Sequence, residues 1–221
     1  MSGPAFDGVV FDADGVLFDT ENLGRRVWRE IGAEMGCPQP AEHYLHFVGR
    51  NRADILAELT RMFGADFPGE TFLTNSSRRA MEHMEQEGIP LKPGVHEVLS
   101  LLRERRVPVA LATSTHRDRT QYRMGRTGLG QYFQTMTTGD QVVHSKPDPE
   151  IYTLACRSLG VDPARAVAVE DSRNGILSAH GAGMRVIMVP DLIPPTPDLE
   201  AMLFRRFDSL LELRDYFQAV F

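Results

Sequence analysis

Asp12 and Asp14 stand two positions apart, directly after the apolar run 8–11 and directly before Gly15. The run, Gly-Val-Val-Phe, is typical of a buried strand. In an extended chain, side chains at this spacing point to the same side, roughly 6.5 Å apart along it. Because carboxylates placed so close repel each other, the pair indicates a site that binds a cation or transfers protons.

Further polar side chains follow the other predicted strands. In an open α/β sheet, the carboxyl ends of parallel strands meet at one edge, where ligands bind. The predicted strands at 109–113, 133–138 and 166–170 bring three hydroxyls, a lysine and two more carboxylates to that edge: Thr113, Ser114, Thr115, Lys146, Glu170 and Asp171. Four carboxylates around one lysine need a further cation, and Mg²⁺ is the natural complement of such a set of oxygen ligands.

The same residue types suit a phosphoryl group. Thr113 and the backbone N–H groups at the start of the following helix can bind phosphate oxygens, and Lys146 supplies a positive charge. A carboxylate held beside phosphorus can act as a nucleophile and form an acyl phosphate. A second carboxylate nearby could protonate the departing oxygen and then take a proton from the attacking water. The pattern therefore predicts phosphoryl-transfer chemistry.

The elements that position these residues follow from apolar periodicity. From Pro93 onward, short apolar strands alternate with amphipathic helices, which predicts a parallel sheet with helices on both faces. Before Pro93, apolar residues recur at spacings of three and four, which predicts helices interrupted at 36–40 and 64–69. We expect an α/β fold with a Rossmann-like parallel-sheet core, residues 1–20 and 92–221, and an inserted all-helical cap, residues 21–91.

The composition is typical of a globular protein. The chain has 221 residues, 42% of them apolar, and a formal net charge of −6, which disfavours binding to nucleic acid. No apolar stretch approaches the roughly 18 residues of a membrane span, and the N-terminal pattern is not that of a signal peptide. Cys37 and Cys156 lack metal-binding spacing. We expect a cytoplasmic monomer whose partner is a small phosphorylated metabolite, with no nucleic acid and no membrane.

Four segments taken together resemble the ordered motifs of the haloacid dehalogenase superfamily. They are Asp12–Val16, the strand that ends at Thr113, Lys146–Pro147 and Glu170–Asp171. The longer segments GVLFDT, SKPDP and VEDSRNG resemble its β-phosphoglucomutase-like branch of phosphatases, in which a helical cap follows the first motif. The resemblance covers essentially the whole chain. It implies a Mg²⁺-dependent phosphatase that forms an aspartyl phosphate.

The resemblance also implies a role for each matching residue. Asp12 would be the nucleophile and a metal ligand. Asp14 would be the general acid and base, and its backbone carbonyl would also bind the metal. Thr113 would bind the transferring phosphoryl group beside the backbone of Ser114, and Lys146 would neutralise charge on that group and on Asp12.

Two further sets of residues take their roles from the resemblance. Asp171 would bind Mg²⁺, with Glu170 as a further ligand or as a support for the ligands. Arg50, Asn51 and Arg52 belong to a cap loop that faces the active site in similar proteins. We expect the side chains of this loop, Arg50 and Arg52 above all, to read the substrate.

One position departs from the sugar-phosphate mutases of this branch. Their motif resembles T-x-x-x-H-x-x-A-W, whereas the segment Thr20–Trp28 has Gly24 in place of the histidine. A mutase must shield its phosphoenzyme from water, so the absence of the histidine favours hydrolysis. A sugar-phosphate mutase remains the alternative function.

Two other classes of protein that use similar residues fit this sequence less well. A dehalogenase would need no metal, which Asp14, Glu170 and Asp171 argue against. A phosphoacceptor of the response-regulator type also uses Asp, Thr, Lys and Mg²⁺, but it has a different strand order and lacks a large cap. The sequence leaves open which substrate is used, among sugar phosphates, phosphoglycolate, nucleotide-derived phosphates and pyrophosphate, because the cap rather than the core sets it.

Overall fold

The computed structural model describes residues 6–48, 50 and 52–221. The chain forms two compact units, which we call the sheet unit and the helical unit. The sheet unit comprises the chain up to Asp19 together with Leu91–Phe221, and the helical unit comprises Thr20–Pro90. None of the helices in the described part of the chain combines the length and apolar character that crossing a membrane requires.

The sheet unit is built on a parallel sheet that has six strands within the described residues. In chain order they are β1 (Gly8–Phe11), β2 (Val109–Thr113), β3 (Thr135–Thr138), β4 (Ala166–Glu170), β5 (Arg185–Met188) and β6 (Arg205–Arg206). Their spatial order is β3-β2-β1-β4-β5-β6, and each neighbouring pair is parallel. The predicted parallel sheet is confirmed. Because β1 lies between β2 and β4, the segments after these three strands meet at one edge.

The helical insertion after β1 is also confirmed. Its helices are α1 (Thr20–Glu34), α2 (Gln39–Glu42), α3 (Tyr44–Phe47), α4 (Arg52–Phe63) and α5 (Gly69–Glu87). Trp28 is 7% exposed, and its ring centroid lies 5.1 Å from those of Tyr44, Phe47 and Phe72. This aromatic cluster forms a hydrophobic core within the helical unit.

Helices alternate with the strands through the rest of the sheet unit. They are α6 (Val95–Glu104), α7 (Arg117–Thr127), α8 (Glu150–Leu159), α9 (Arg173–Gly181), α10 (Pro197–Glu200) and α11 (Leu210–Val220), with short 3-10 helices at Leu129–Tyr132, Gly139–Gln141 and Pro163–Arg165. The central strands β1, β2 and β4 are buried along their whole length, as in parallel sheets covered on both faces.

Helices α8 and α9 share one core with alternate residues of the central strands. Val10, Ala110 and Ala168 from the strands pack in one cluster with Tyr152 of α8 and Ile176 of α9. Each fully buried apolar side chain of valine or isoleucine size contributes about 1.5–3 kcal/mol through removal from water. This packing fixes the strand ends that carry the polar residues.

Candidate active site

The ends of β1 and β4 place two carboxylates side by side. Phe11 is in register with Val169 of β4 and with Leu111 of β2. The backbone N–H of Asp12 donates to the carbonyl of Val169 at 3.0 Å, so the ladder continues one residue past β1. Asp12 therefore leaves the sheet directly beside Glu170, the last residue of β4.

Lys146 connects these two carboxylates. Its Nζ donates to Asp12 Oδ1 at 2.6 Å, to Glu170 Oε1 at 2.7 Å and to the Ala112 carbonyl at 3.1 Å. The lysine side chain is only 6% exposed. Burial by itself would lower the pKa of Lys146, but attraction to Asp12 and Glu170 outweighs burial and raises it. The ammonium group is therefore a fixed positive charge in the site.

Glu170 is fully buried and accepts hydrogen bonds at both carboxylate oxygens. Oε1 accepts from Lys146 and, at 2.7 Å, from the Tyr152 hydroxyl. Oε2 accepts from the backbone N–H groups of Asp171 and Ser172 at 3.1 and 3.2 Å, and from the Ser172 hydroxyl at 3.1 Å. A buried charge needs such compensation. The arrangement orients Glu170 towards Lys146.

Two glycines make room for the carboxylates. A Cβ at Gly175 would lie 1.7 Å from Glu170 Oε1, and a Cβ at Gly15 would lie 2.1 Å from Asp171 Oδ2. Gly15 also has a φ of +81°, in the left-handed region where side chains with a Cβ are strained. The glycines of the first and last motifs therefore allow Glu170 and Asp171 to approach the backbone closely.

Asp12, Glu170 and Asp171 form a possible metal site. Each offers a carboxylate oxygen, and these oxygens lie within 4.8 Å of one another. Burial, reinforced by repulsion from Glu170 and Asp12, raises the pKa of Asp171 well above its usual range. The pKa of Asp12 is raised to about 7, first by burial and then by Glu170, against the opposing attraction of Lys146. An all-oxygen set that carries excess negative charge fits a hard divalent cation.

A second group of possible ligands has a structural explanation. His144, Asp148 and Glu150 lie together in the loop before α8 and at its first residue. Glu150 accepts hydrogen bonds from the backbone N–H groups of Val143 and His144, and Asp148 accepts one from that of Glu150. These contacts order the loop and the start of the helix.

Asp14 is held beside the end of β2. Its Oδ2 accepts from the Thr115 hydroxyl at 2.7 Å, and its Oδ1 accepts from Arg123 Nη1 at 2.6 Å. Thr113 is buried, and its hydroxyl accepts from the Thr115 backbone N–H at 3.1 Å. Ser114, between them, is exposed. The end of β2 thus carries Thr113, and the loop that follows carries Ser114 and the contact from Thr115 to Asp14.

The remaining predicted residues belong to the helical unit. Arg50 lies 3.9 Å from Glu58, and Arg52 donates to Glu70 at 2.7 Å. Both arginines line a cavity of about 320 Å³ within this unit. Asn51 lies outside the described residues.

Among the residues that donate to carboxylates of the site, Tyr152 and Arg123 are absent from the sequence-based set. Tyr152 donates to Glu170, but its place on the apolar face of α8 is typical of an ordinary core residue. Arg123 stands in a helix with four other arginine and aspartate residues, so nothing in the local pattern distinguishes it. Only the tertiary contacts reveal that each touches a carboxylate of the site.

Comparison with known proteins identifies the class. The model of the haloacid dehalogenase-like hydrolase family matches residues 9–189. A phosphorylated carbohydrates phosphatase from Thermotoga maritima is 35% identical over 187 residues, which cover 82% of this chain and 83% of the relative. The chain therefore belongs to the haloacid dehalogenase-like hydrolase family, and within it to the phosphatases.

Two solved structures place the chain within the family. A hydrolase of this family from Deinococcus radiodurans, with bound phosphate and sodium, has a TM-score of 0.83 at 30% identity and covers 98% of this chain and 97% of its own. CbbY from Rhodobacter sphaeroides, in complex with xylulose-1,5-bisphosphate, has a TM-score of 0.72 at 30% identity, with 94% and 96% covered. The similarity in each case spans nearly the whole chain, including the helical insertion.

Proposed function

We propose that the protein is a Mg²⁺-dependent phosphatase that hydrolyses a small phosphomonoester, a sugar phosphate or a similar metabolite, through an aspartyl phosphate. The observation that carries the proposal is the convergence of Asp12, Lys146, Glu170 and Asp171 at one edge of the sheet. A nucleophilic carboxylate beside a buried ammonium group, within an oxygen-rich set of ligands, suits the transfer of a dianionic phosphoryl group.

In the first step, a carboxylate oxygen of Asp12 attacks phosphorus in line with the departing oxygen. The bond between phosphorus and the substrate oxygen breaks, and Asp14 donates its proton to that oxygen, which leaves as an alcohol. Thr113 and the backbone of Ser114 hold the phosphoryl oxygens. Lys146 stays charged and offsets the negative charge on the phosphoryl group and on Asp12.

In the second step, water attacks the aspartyl phosphate. Asp14, now a carboxylate, takes the proton of the water, and the bond between phosphorus and Asp12 breaks to release inorganic phosphate. Asp12 and Asp14 return to their starting protonation states, so the proton balance of the cycle closes. One residue thus acts as acid in the first step and as base in the second.

The metal site would be formed by Asp12 and Asp171, with the backbone carbonyl of Asp14, and with Glu170 as a further ligand or as a support. Bound Mg²⁺ supplies charge neutralisation and orientation of the phosphoryl oxygens. Glu170 already accepts five hydrogen bonds from protein groups. Its main part is therefore the orientation of Lys146, and Asp12 and Asp171 would provide most of the metal binding.

The substrate class rests on the relatives and on the helical unit. The Thermotoga relative is named for phosphorylated carbohydrates, and CbbY is seen with a sugar bisphosphate, which supports a phosphorylated sugar as the substrate. Arg50 and Arg52 line the cavity of the helical unit, and we propose that they contribute to the choice of substrate.

Position 24 supports hydrolysis over the mutase alternative. A Cβ at Gly24 would lie 2.1 Å from the Tyr44 hydroxyl and 3.0 Å from the ring carbon that carries it. Tyr44 is buried against Trp28 and donates to Glu21 at 2.9 Å. The space that a histidine would need at this position is therefore filled by another side chain.

A panel of phosphorylated metabolites tests the proposal. The panel comprises glucose, fructose, sorbitol and glycerol phosphates, with phosphoglycolate and para-nitrophenyl phosphate. We expect release of inorganic phosphate from a sugar or polyol phosphate that stops when the metal is chelated and returns with Mg²⁺. Asp12→Asn should lower kcat by at least about 1,000-fold, whereas Asp118→Asn, an exposed aspartate of α7, should not change it. Full turnover by Asp12→Asn, or by metal-free protein, would contradict the proposal.

A further inference from the structure

The carboxylate of Asp14 is held at both of its oxygens by groups from the segment that follows β2. Thr115 Oγ1 donates to Oδ2 at 2.7 Å, and Arg123 Nη1 donates to Oδ1 at 2.6 Å. The side chain of Arg123 is 15% exposed and that of Asp14 is 33% exposed. Because the two donors engage different oxygens, together they restrict rotation of the carboxylate. A charge-assisted hydrogen bond from a guanidinium is the stronger of the two.

The packing of α7 explains why Arg123 reaches Asp14. Thr120 and Met124 are the buried residues of this helix, and Arg123 adjoins them on the helix surface. The Arg123 guanidinium lies 5.7 Å from the ring centroid of Phe18. The carbonyl of Phe18 accepts from the Gly15 backbone N–H at 2.9 Å, which closes the turn that begins at Asp14. Arg123 therefore contacts both the side chain of Asp14 and the turn that carries it.

We propose that Arg123 is a positioning residue that fixes the carboxylate of Asp14 in the orientation needed for proton transfer. This inference rests on the proposed function, because Asp14 acts there as general acid and base. Arg123 bonds to Asp14 and packs on Phe18, so its positive charge is already compensated by a carboxylate. Its contacts therefore differ from those of Lys146, which donates to the proposed nucleophile Asp12.

This role predicts a dependence on the leaving group. A sugar alkoxide is a poor leaving group and needs a correctly placed acid, whereas para-nitrophenolate departs without one. The value of kcat/KM reports the steps up to departure of the alcohol, so it isolates the acid role of Asp14 from its later role as base. Loss of the positioning contact should therefore lower kcat/KM for sugar phosphates selectively.

The test compares Arg123→Gln, Arg123→Lys and Asp14→Asn with wild type on two substrates. These are para-nitrophenyl phosphate and the sugar or polyol phosphate of the panel with the highest kcat/KM. We expect Arg123→Gln to lower kcat/KM for the sugar or polyol phosphate by about 10- to 100-fold and for the aryl phosphate by less than about 3-fold. Arg123→Lys should restore part of the loss. The exposed Arg126 of the same helix provides the matched control, Arg126→Gln, which should leave both values unchanged.

Other results would overturn the inference. Equal losses on both substrates would assign Arg123 to phosphate binding or to structure, and an increase would make its contact with Asp14 inhibitory. In Asp14→Asn the further substitution Arg123→Gln should cost nothing more, so additive losses also contradict the proposal. Thermal melting of each variant identifies a folding defect. If Arg123→Gln has such a defect, the kcat/KM values of Arg123→Lys on the two substrates decide the question. If the wild-type protein hydrolyses neither substrate, both the proposed function and this inference are wrong. If Asp14→Asn loses more kcat/KM on the sugar or polyol phosphate than on the aryl phosphate but Arg123→Gln does not, only the inference is wrong.

Discussion

Lys146 carries one positive charge into a group of three carboxylates, Asp12, Glu170 and Asp171. It bonds to Asp12 and Glu170 at 2.6 and 2.7 Å, so its charge is shared by these two. The pKa of Asp171 is raised well above its usual range, by burial first and then by its carboxylate neighbours. At the scale of single residues, the group is short of positive charge until a cation binds.

This shortage predicts how pH affects the stability of the metal-free protein. The pKa of Asp12 rises from 3.8 to about 7 on folding, so the folded state binds more protons than the unfolded state between these values. The stabilisation is present below the lower pKa and is lost as the pH rises through the higher one. We expect the free energy of unfolding to fall by about 1 kcal/mol or more across this window, measured by urea titration. Mg²⁺ should reverse the fall, most strongly at the higher pH.

The variant Asp171→Asn provides the comparison for this experiment. It removes one carboxylate from the group, so the metal-free variant should lose less stability with rising pH and should gain less from Mg²⁺. Stability that stays constant between about pH 4 and about pH 7, or a Mg²⁺ effect that is the same in Asp171→Asn, would show that the three carboxylates do not form a coupled cation site.

Among the secondary-structure elements, helix α1 has a glycine at position 24 where the side chain of Tyr44 packs against it. Glycine in a helix interior normally costs about 1 kcal/mol relative to alanine. At Gly24 the Tyr44 hydroxyl fills the space of the missing Cβ. We therefore expect Gly24→Ala to lower the free energy of unfolding by about 1–3 kcal/mol through overpacking, although alanine favours the helix. Urea or thermal unfolding measures this change.

The same substitution should have the opposite sign once Tyr44 is removed. In a Tyr44→Ala background, Gly24→Ala should raise the free energy of unfolding by about 0.5–1 kcal/mol, as expected for an uncrowded helix position. Gly36, where a Cβ would meet nothing within 4 Å, has a φ of +68° and is therefore unsuitable as a control. Gly125 of α7, which has open space and no positive φ, is the suitable one. Equal effects of Gly24→Ala in both backgrounds would refute the contact with Tyr44.

The sequence predicts the elements well wherever periodicity or apolar runs are strong. Strands β1, β2 and β4 were expected from runs of small and branched apolar residues, because such strands are buried on both faces. Strand β6 was not expected, since it consists of two exposed arginines that pair with β5. Helix α10 lies in a segment rich in proline and carries too few residues for a helical period.

Some residues of the site can be predicted from the sequence and others cannot. Asp12 and Asp171 follow strands, Glu170 ends one and Lys146 stands in a loop. The alternation of strands and helices therefore predicts that these four residues converge at one edge of the sheet. Arg123 lies in mid-helix, and its contact with Asp14 depends on how α7 packs. Local sequence patterns do not indicate how α7 packs, so the contact of Arg123 with Asp14 could not be predicted.

For the whole molecule, the proposal assigns a different task to each of the two units. The sheet unit contains every residue to which the proposal assigns the chemistry, and the helical unit contains the cavity lined by Arg50 and Arg52. The chain belongs to the haloacid dehalogenase-like hydrolase family, and we propose that residues of the sheet unit perform the reaction while side chains of the helical cavity select among phosphorylated sugars. Substitutions in that cavity should therefore change KM among substrates more than they change the chemical step.

In the proposed mechanism, Asp12 carries the phosphoryl group during turnover. Rapid mixing of the Mg²⁺-loaded enzyme with its best sugar phosphate, followed by acid quenching and peptide mass spectrometry, measures this directly. We predict a phosphoryl group on the peptide that contains Asp12, formed and lost at rates that account for turnover, and absent in Asp12→Asn. Full turnover with no phosphoryl group on Asp12 at any time point would contradict this mechanism.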